Sequence, residues 1–143
     1  MAERVYFLTY CVADGGFMYG IGTDIVTISR IEKSLERESF LHRVYGEKEI
    51  ELFASGAKVK TASLAANFAA KEAFGKALGT GVRGFELNEV QVLRDVLGKP
   101  YFELSGSAKE IADRENVECL VSLSHENDRA IAFVVMEKKS DKV

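Results

Sequence analysis

Two carboxylates and one ammonium group stand where an apolar interior would be expected, and together they suit phosphate chemistry. Glu72 and Lys76 lie within Ala62–Leu78, a run with eleven apolar residues in seventeen, seven of them Ala. At 3.6 residues per turn, Phe68, Glu72 and Lys76 share one helix face. A carboxylate there is costly to bury unless a cation or hydrogen-bond donors meet it. Asp24 interrupts the apolar run Met18–Val26, MYGIGTDIV, in the same way. Two carboxylates on separate elements suit a hard cation: Mg²⁺ is held by one or two of them, and waters and substrate phosphates fill the octahedron. A zinc site is not indicated, because Cys11 and Cys119 are far apart and there is no Cys/His cluster. The residues alone leave plainer alternatives open. Glu72 could pair with Lys76 or another base, and Asp24 could cap a turn or helix.

Three more features carry chemistry of a weaker kind. Gly79-Thr80-Gly81-Val82-Arg83-Gly84 has three glycines in six residues and could present backbone N–H groups to a phosphate. It follows a helix rather than preceding one, so a C-cap plus turn explains it as well. His125 comes just after Ser122 and Ser124, where a strand ends; a lone His in a turn is commonly structural. Arg30, Lys33 and Arg37 recur at i, i+3, i+7. That stripe is either a solvated basic face or a docking surface for an acidic partner.

The elements that must position these groups read as follows. Met18–Val26 is a strand in which Gly20 and Gly22 suggest a bulge or a close backbone approach. Thr27–Glu38 is an amphipathic helix with Ile28, Ile31 and Leu35 as its core stripe and Ser29–Glu32 as a capping box. Ser39–Gly46 is a connector, and Glu47–Ala54 a short helix with Ile50 and Phe53 inward. The long helix of Thr61–Gly81 stops at Gly79; apolar nearly all the way round, it is expected to be buried. Glu86–Arg94 and Pro100–Leu104 form a hairpin around Asp95–Lys99. Ser105–Asn116 is a helix, Val117–Ser124 a strand, and His125–Arg129 a turn. Ala130–Glu137 is a nearly all-apolar strand, expected to be central and covered on both faces. Helices followed by hairpin-linked strands indicate an α+β fold, helices packed on an antiparallel sheet. Residues 18–143 make one domain; residues 1–17 are an extension carrying the apolar stretch Val5–Val12.

Composition excludes several classes. With 19 basic and 22 acidic residues the net charge is −3, which argues against a strongly basic nucleic-acid binder. Val5–Val12 is too short to span a membrane and lacks the basic flank of a signal peptide. Two distant cysteines read as reduced cytosolic thiols.

Four motifs, in order, carry a resemblance. Gly20-Ile21-Gly22-Thr23-Asp24-Ile25-Val26 resembles the opening strand of the bacterial holo-[acyl-carrier-protein] synthases, the small members of the 4′-phosphopantetheinyl transferase superfamily. Phe68-Ala69-Ala70-Lys71-Glu72-Ala73-Phe74-Gly75-Lys76-Ala77, followed by Gly79-Thr80-Gly81, is similar to that family's signature helix and loop. Gly98-Lys99-Pro100 and Ser122-Leu123-Ser124-His125 match its two later motifs. The likeness covers roughly Met18–Lys138.

The resemblance implies an α+β transferase. It would move the 4′-phosphopantetheine arm of coenzyme A onto a serine of apo-acyl-carrier-protein, of fatty-acid or polyketide type, releasing adenosine 3′,5′-bisphosphate. It implies Mg²⁺ held by Asp24 and Glu72, with Glu72 and Lys76 as catalytic residues. The coenzyme A site would take Lys76, Gly79, Thr80, Gly81, Pro100, Ser124 and His125. Carrier-protein docking would fall to Arg30, Lys33, Arg37 and Arg43. It further implies a cytoplasmic homotrimer with sites between subunits, and no nucleic acid or membrane partner. The rival readings are a catalytically silent carrier-protein or coenzyme A binding module and a different Mg²⁺-dependent transferase. The chain departs from the family pattern at Asn67, where Arg is common, and in its extension.

Overall fold

Strands of alternating burial and one helix apolar on every side set the architecture. The computed structural model describes residues 17–139. The expected extension, apart from Phe17, and the last four residues of the tail lie outside them. In order the elements are β1 (Phe17–Thr27), α1 (Ile28–Ser34), α2 (Glu38–Val44), α3 (Glu47–Phe53), α4 (Thr61–Leu78), β2 (Val90–Arg94), β3 (Pro100–Leu104), α5 (Gly106–Glu115), β4 (Val117–Glu126) and β5 (Arg129–Lys138). Strands β1, β5 and β4 form an antiparallel sheet with β5 in the middle, and β2 and β3 form a separate hairpin. The fold is α+β, as expected.

Helix α4 lies directly on β1. A Cβ at Gly20 would fall 2.0 Å from the Ala77 carbonyl oxygen, and one at Gly22 would fall 1.9 Å from that of Ala73. Glycine at both positions therefore lets the backbones of helix and strand touch. Around this contact Ala69, Ala70, Ala73, Phe74, Ala132, Val134 and Met136 make one buried cluster. A second cluster lies at the N-terminal half of α4, where Ile31, Phe40, Val44, Tyr45 and Phe53 cover Leu64, Ala65 and Ala66.

Several sequence expectations are corrected. Thr27–Glu38 is not one helix: α1 ends at Ser34, and Arg37 is extended (φ −96, ψ 116) before α2 begins. The supposed connector after it is mostly α2. Ser34 Oγ donates back to the Arg30 carbonyl, a local bond that bends or ends helices, and the break lets Phe40 turn inward against Phe68. Glu86–Arg94 is a strand only from Val90. Leu87–Glu89 is a 3₁₀ turn, because the Glu89 carboxylate accepts both the Glu86 N–H at 2.8 Å and the Ala108 N–H at 3.2 Å. His125 and Glu126 belong to β4, and the turn to β5 is shorter than expected. Strand β5 is central, but within one chain only one face is covered: Ala130, Ala132, Val134 and Met136 are buried, whereas Ile131 and Phe133 are each 43% exposed.

Candidate active site

The glycine contact between β1 and α4 brings the chemistry together. Asp24 follows Gly22 by two residues and so projects from the same side of β1, toward α4. Glu72 stands one residue before Ala73, the helix position that Gly22 meets. Lys76 Nζ donates to Asp24 Oδ1 at 3.1 Å and to the Thr23 carbonyl at 2.9 Å. Lys76 is 54% exposed, so this ion pair contributes little to stability, about 0–1 kcal/mol. Its consequence is electrostatic: a cation already meets the Asp24 carboxylate.

Glu72 is half-buried. Burial raises its carboxyl above the ordinary carboxylate value, the Asp24 charge raises it further, and Lys76 offsets part of the rise. Two carboxylates that feel each other's charge, with one ammonium group bound to Asp24, are a donor set short of positive charge. No group of three or more His, Cys, Asp or Glu residues gathers among the described residues. Two carboxylates at one helix–strand contact fit a hard divalent cation whose remaining ligands come from water and phosphate.

The loop after α4 is pinned back onto the helix. Gly79 takes the left-handed conformation (φ 85) and its N–H reaches the Lys76 carbonyl. The Gly81 N–H donates to the Gly75 carbonyl at 3.0 Å. A Cβ at Gly75 would lie 2.6 Å from the Gly81 carbonyl carbon, so glycine at 75 permits that return. Gly79 and Thr80 are exposed beside Lys76.

The remaining expected site residues are not joined to this cluster within one chain. Pro100 starts β3 in the other sheet, opposite Arg94. Ser124 and His125 are exposed on β4, the strand at the sheet edge away from β1, and face opposite sides. Among the described residues no hydrogen bond or ion pair links them to Asp24, Glu72 or Lys76. Arg30, Lys33, Arg37 and Arg43 are all exposed, but the helix break divides them: Arg30 and Lys33 lie on α1, Arg37 at the break with its guanidinium 6.0 Å from the Phe40 ring, and Arg43 on α2. Beside the cluster a cavity of about 400 Å³ opens between Val26, Arg30, Ile31, Phe40, Phe68 and Arg129. Arg129, which the sequence placed only in a turn, donates to Thr27 Oγ1 at 2.8 Å.

The sequence also hid a buried network on the far side of α4. Lys71 Nζ lies 2.6 Å from Glu49 Oε1, both side chains fully buried. Asn67, at the position of the departure from Arg, is also fully buried and accepts from Arg94 at 2.9 Å. It faces Glu49 and Val92 instead of Asp24. The one signal for the network was Glu49 as the third residue of a capping box opening α3, where it accepts the Gly46 N–H.

Comparison with known proteins bears on this geometry. The family model described as the 4′-phosphopantetheinyl transferase superfamily matches residues 20–134. A holo-[acyl-carrier-protein] synthase of Clostridium botulinum (strain Alaska E43 / Type E3) is 47% identical over 119 residues, covering 82% of this chain and 96% of the relative. The crystal structure of holo-[acyl-carrier-protein] synthase from Neisseria meningitidis superposes with a TM-score of 0.78 at 37% identity, covering 85% of this chain and all of that one. A Helicobacter pylori holo-[acyl-carrier-protein] synthase solved in complex with coenzyme A gives 0.71 at 37% identity, covering 81% of this chain and 98% of that one.

Proposed function

Since the chain belongs to the 4′-phosphopantetheinyl transferase superfamily, we propose that it is a holo-[acyl-carrier-protein] synthase. It transfers the 4′-phosphopantetheine arm of coenzyme A to a serine of apo-acyl-carrier-protein and releases adenosine 3′,5′-bisphosphate. The observation that carries this reading is the meeting of Asp24, Glu72 and Lys76 at the β1–α4 contact, in a chain of which 82% aligns with a synthase at 47% identity. Both carboxylates are present and adjacent, which favours catalysis over a silent binding module.

The reaction is a phosphoryl transfer. The serine oxygen bonds to the pantetheine-side phosphorus, the bridging P–O bond breaks, and its electron pair leaves with adenosine 3′,5′-bisphosphate. The serine proton passes to water. Such transfers depend on positioning and charge stabilisation. Lys76, half-exposed beside Asp24, supplies positive charge for the bridging oxygen as it becomes anionic. Asp24 and Glu72 would hold Mg²⁺, which when bound neutralises charge on the pyrophosphate. Gly79, Thr80 and Gly81 offer backbone groups to coenzyme A next to Lys76. Arg30, Lys33, Arg37 and Arg43 form the exposed basic surface for an acidic carrier protein, beside the cavity at Phe68.

The reading extends to assembly. Ile21, Ile25, Leu120, Ile131 and Phe133 make an apolar outer face on the three-stranded sheet, with Ile21 59% and Ile25 58% exposed. An apolar patch of this kind marks an interaction surface. A homotrimer packed through it would bring Pro100, Ser124 and His125 of one subunit toward the carboxylates of another. The transferase domain is residues 18–143, with 1–17 as an extension. No helix among the described residues is long and apolar enough to cross a membrane. Cys119 is a free thiol with its pKa pushed up to about 12 by burial, in keeping with a cytoplasmic enzyme. The deciding experiment is incubation with coenzyme A, Mg²⁺ and an apo-carrier protein, read by mass spectrometry. A mass gain equal to the phosphopantetheine arm is expected; no gain with any carrier or donor tested would overturn the assignment.

A further inference from the structure

Helix α4 carries Glu72 and Lys76, yet its alanines do little to fix its rotation. Ala65 with Ala66 and Ala69 with Ala70 are consecutive buried pairs. Turning the helix by one residue, about 100°, would put Ala in place of Ala at both. Lys71 supplies what the alanines lack. Its ammonium group has three hydrogens, and each has an acceptor on another segment: Glu49 Oε1 on α3 at 2.6 Å, the Val90 carbonyl at 2.6 Å and the Leu87 carbonyl at 3.1 Å. The Glu49 carboxylate also accepts the Gly46 N–H at 3.1 Å and Asn67 Nδ2 at 2.8 Å. Asn67 donates its other amide hydrogen to the Val92 carbonyl at 2.9 Å, and its Oδ1 accepts from Arg94. Glu49, Asn67 and Lys71 are each 0% exposed.

A buried ion pair is seldom more stabilising than apolar residues of the same volume; its best-attested use is to fix register, as a polar core residue does in a coiled coil. We propose that Glu49, Asn67 and Lys71, tied to Arg94, are positioning residues that lock the rotation of α4 and so aim Glu72 at Asp24. Lys71 and Glu72 are consecutive, about 100° apart around the helix. With Lys71 held on the side of α3 and β2, Glu72 is presented to β1. The inference rests on the reading that Asp24 and Glu72 hold a divalent cation. Its consequence is that a network touching no substrate governs metal affinity and turnover, and leaves recognition of the carrier protein alone.

The test uses the full chain with E49Q/K71M, which removes both charges at nearly constant volume, and E72Q as the control. Mn²⁺ binding is followed by electron paramagnetic resonance with coenzyme A present, alongside circular dichroism and steady-state kinetics. The double variant is expected to fold, to bind Mn²⁺ at least about 10-fold more weakly, to lose kcat with KM for the carrier protein kept, and to recover kcat at raised metal. A folded double variant with wild-type Mn²⁺ affinity overturns the proposal. Should that variant not fold, R94M, at the half-buried end of the network, is expected to weaken Mn²⁺ roughly 2- to 3-fold, below the roughly 10-fold lower end for direct partners of metal ligands because Arg94 is further removed from them; unchanged affinity there overturns it equally. If E72Q binds Mn²⁺ as the wild type does, the metal reading itself fails, and the positioning role falls with it.

Discussion

Gly22→Ala tests the claim that a glycine contact builds the site. The added methyl would lie 1.9 Å from the Ala73 carbonyl oxygen, 2.8 Å from the Ala77 nitrogen and 2.9 Å from the Ala73 carbonyl carbon. All three are backbone atoms of α4, so no side chain can swing aside. Clearing even 3.0 Å requires 3.0 − 1.9 = 1.1 Å of movement between helix and strand. The helix cannot move outward freely, because Lys71 is bound on its other side to Glu49 at 2.6 Å. Overpacking of this kind costs about 1–3 kcal/mol. Gly56→Ala is the matched control, since only Lys58 O lies within 4 Å of its added Cβ, at 3.8 Å, and a surface change of that kind stays within roughly 0.5 kcal/mol. Urea unfolding would measure both. In the folded fraction, Gly22→Ala should also lower kcat, because Asp24 follows two residues on and Glu72 moves with the helix. A Gly22→Ala protein as stable and as active as the Gly56→Ala control would refute the reasoning.

Other outcomes follow from the same geometry. Glu72→Gln should abolish metal-dependent turnover, yet melt above the wild type at pH 7 in a chelator. The carboxyl is raised in the folded chain by burial first and by Asp24 second, so the stability tied to its proton is complete below the ordinary value of 4.5 and is lost as pH rises through the raised one; a lower melting temperature would contradict this. Arg37→Glu should raise KM for the carrier protein and leave KM for coenzyme A unchanged, with a steep salt dependence lost alongside; equal change in both would remove Arg37 from the docking surface. Phe133→Asp, at the middle of the exposed apolar sheet face, should shift the assembly toward monomer in analytical ultracentrifugation and lower activity with it. A fully active monomer would end the shared-site reading.

Parts of this were legible and parts were not, for physical reasons. The long helix could be read because an alanine-rich run closed by Gly79 has no competing conformation, and Gly79 does take the left-handed cap. Asp24 and Glu72 stood out because a carboxylate in an apolar run is expensive. The partner of Lys71 did not stand out. Glu49 sits in EKEIELF, where alternating charges look like a solvated surface, and only the third dimension shows that this residue among them is wholly buried. The break at Leu35–Arg37 was also hidden, since a side-chain bond from Ser34 to the Arg30 carbonyl decides it.

The apolar pattern of β5 placed it at the centre of its sheet, as found, but it is not covered on both faces within one chain. AIAFVVM is apolar on both faces, and such a pattern says that something covers each face without saying which molecule does. Within one chain α4 covers Ala130, Ala132 and Val134, whereas Ile131 and Phe133 keep 43% of their surface exposed. The same division runs through the candidate site. Asp24, Glu72 and Lys76 meet inside one chain, while Pro100, Ser124 and His125 stay apart from them. A bare hydrophobic face and a site lacking part of its expected lining are two separate shortfalls, one of burial and one of chemistry. A second copy packed on that face is the simplest single addition that would answer both, which is why the oligomeric state and the activity of Phe133→Asp should be measured on the same sample.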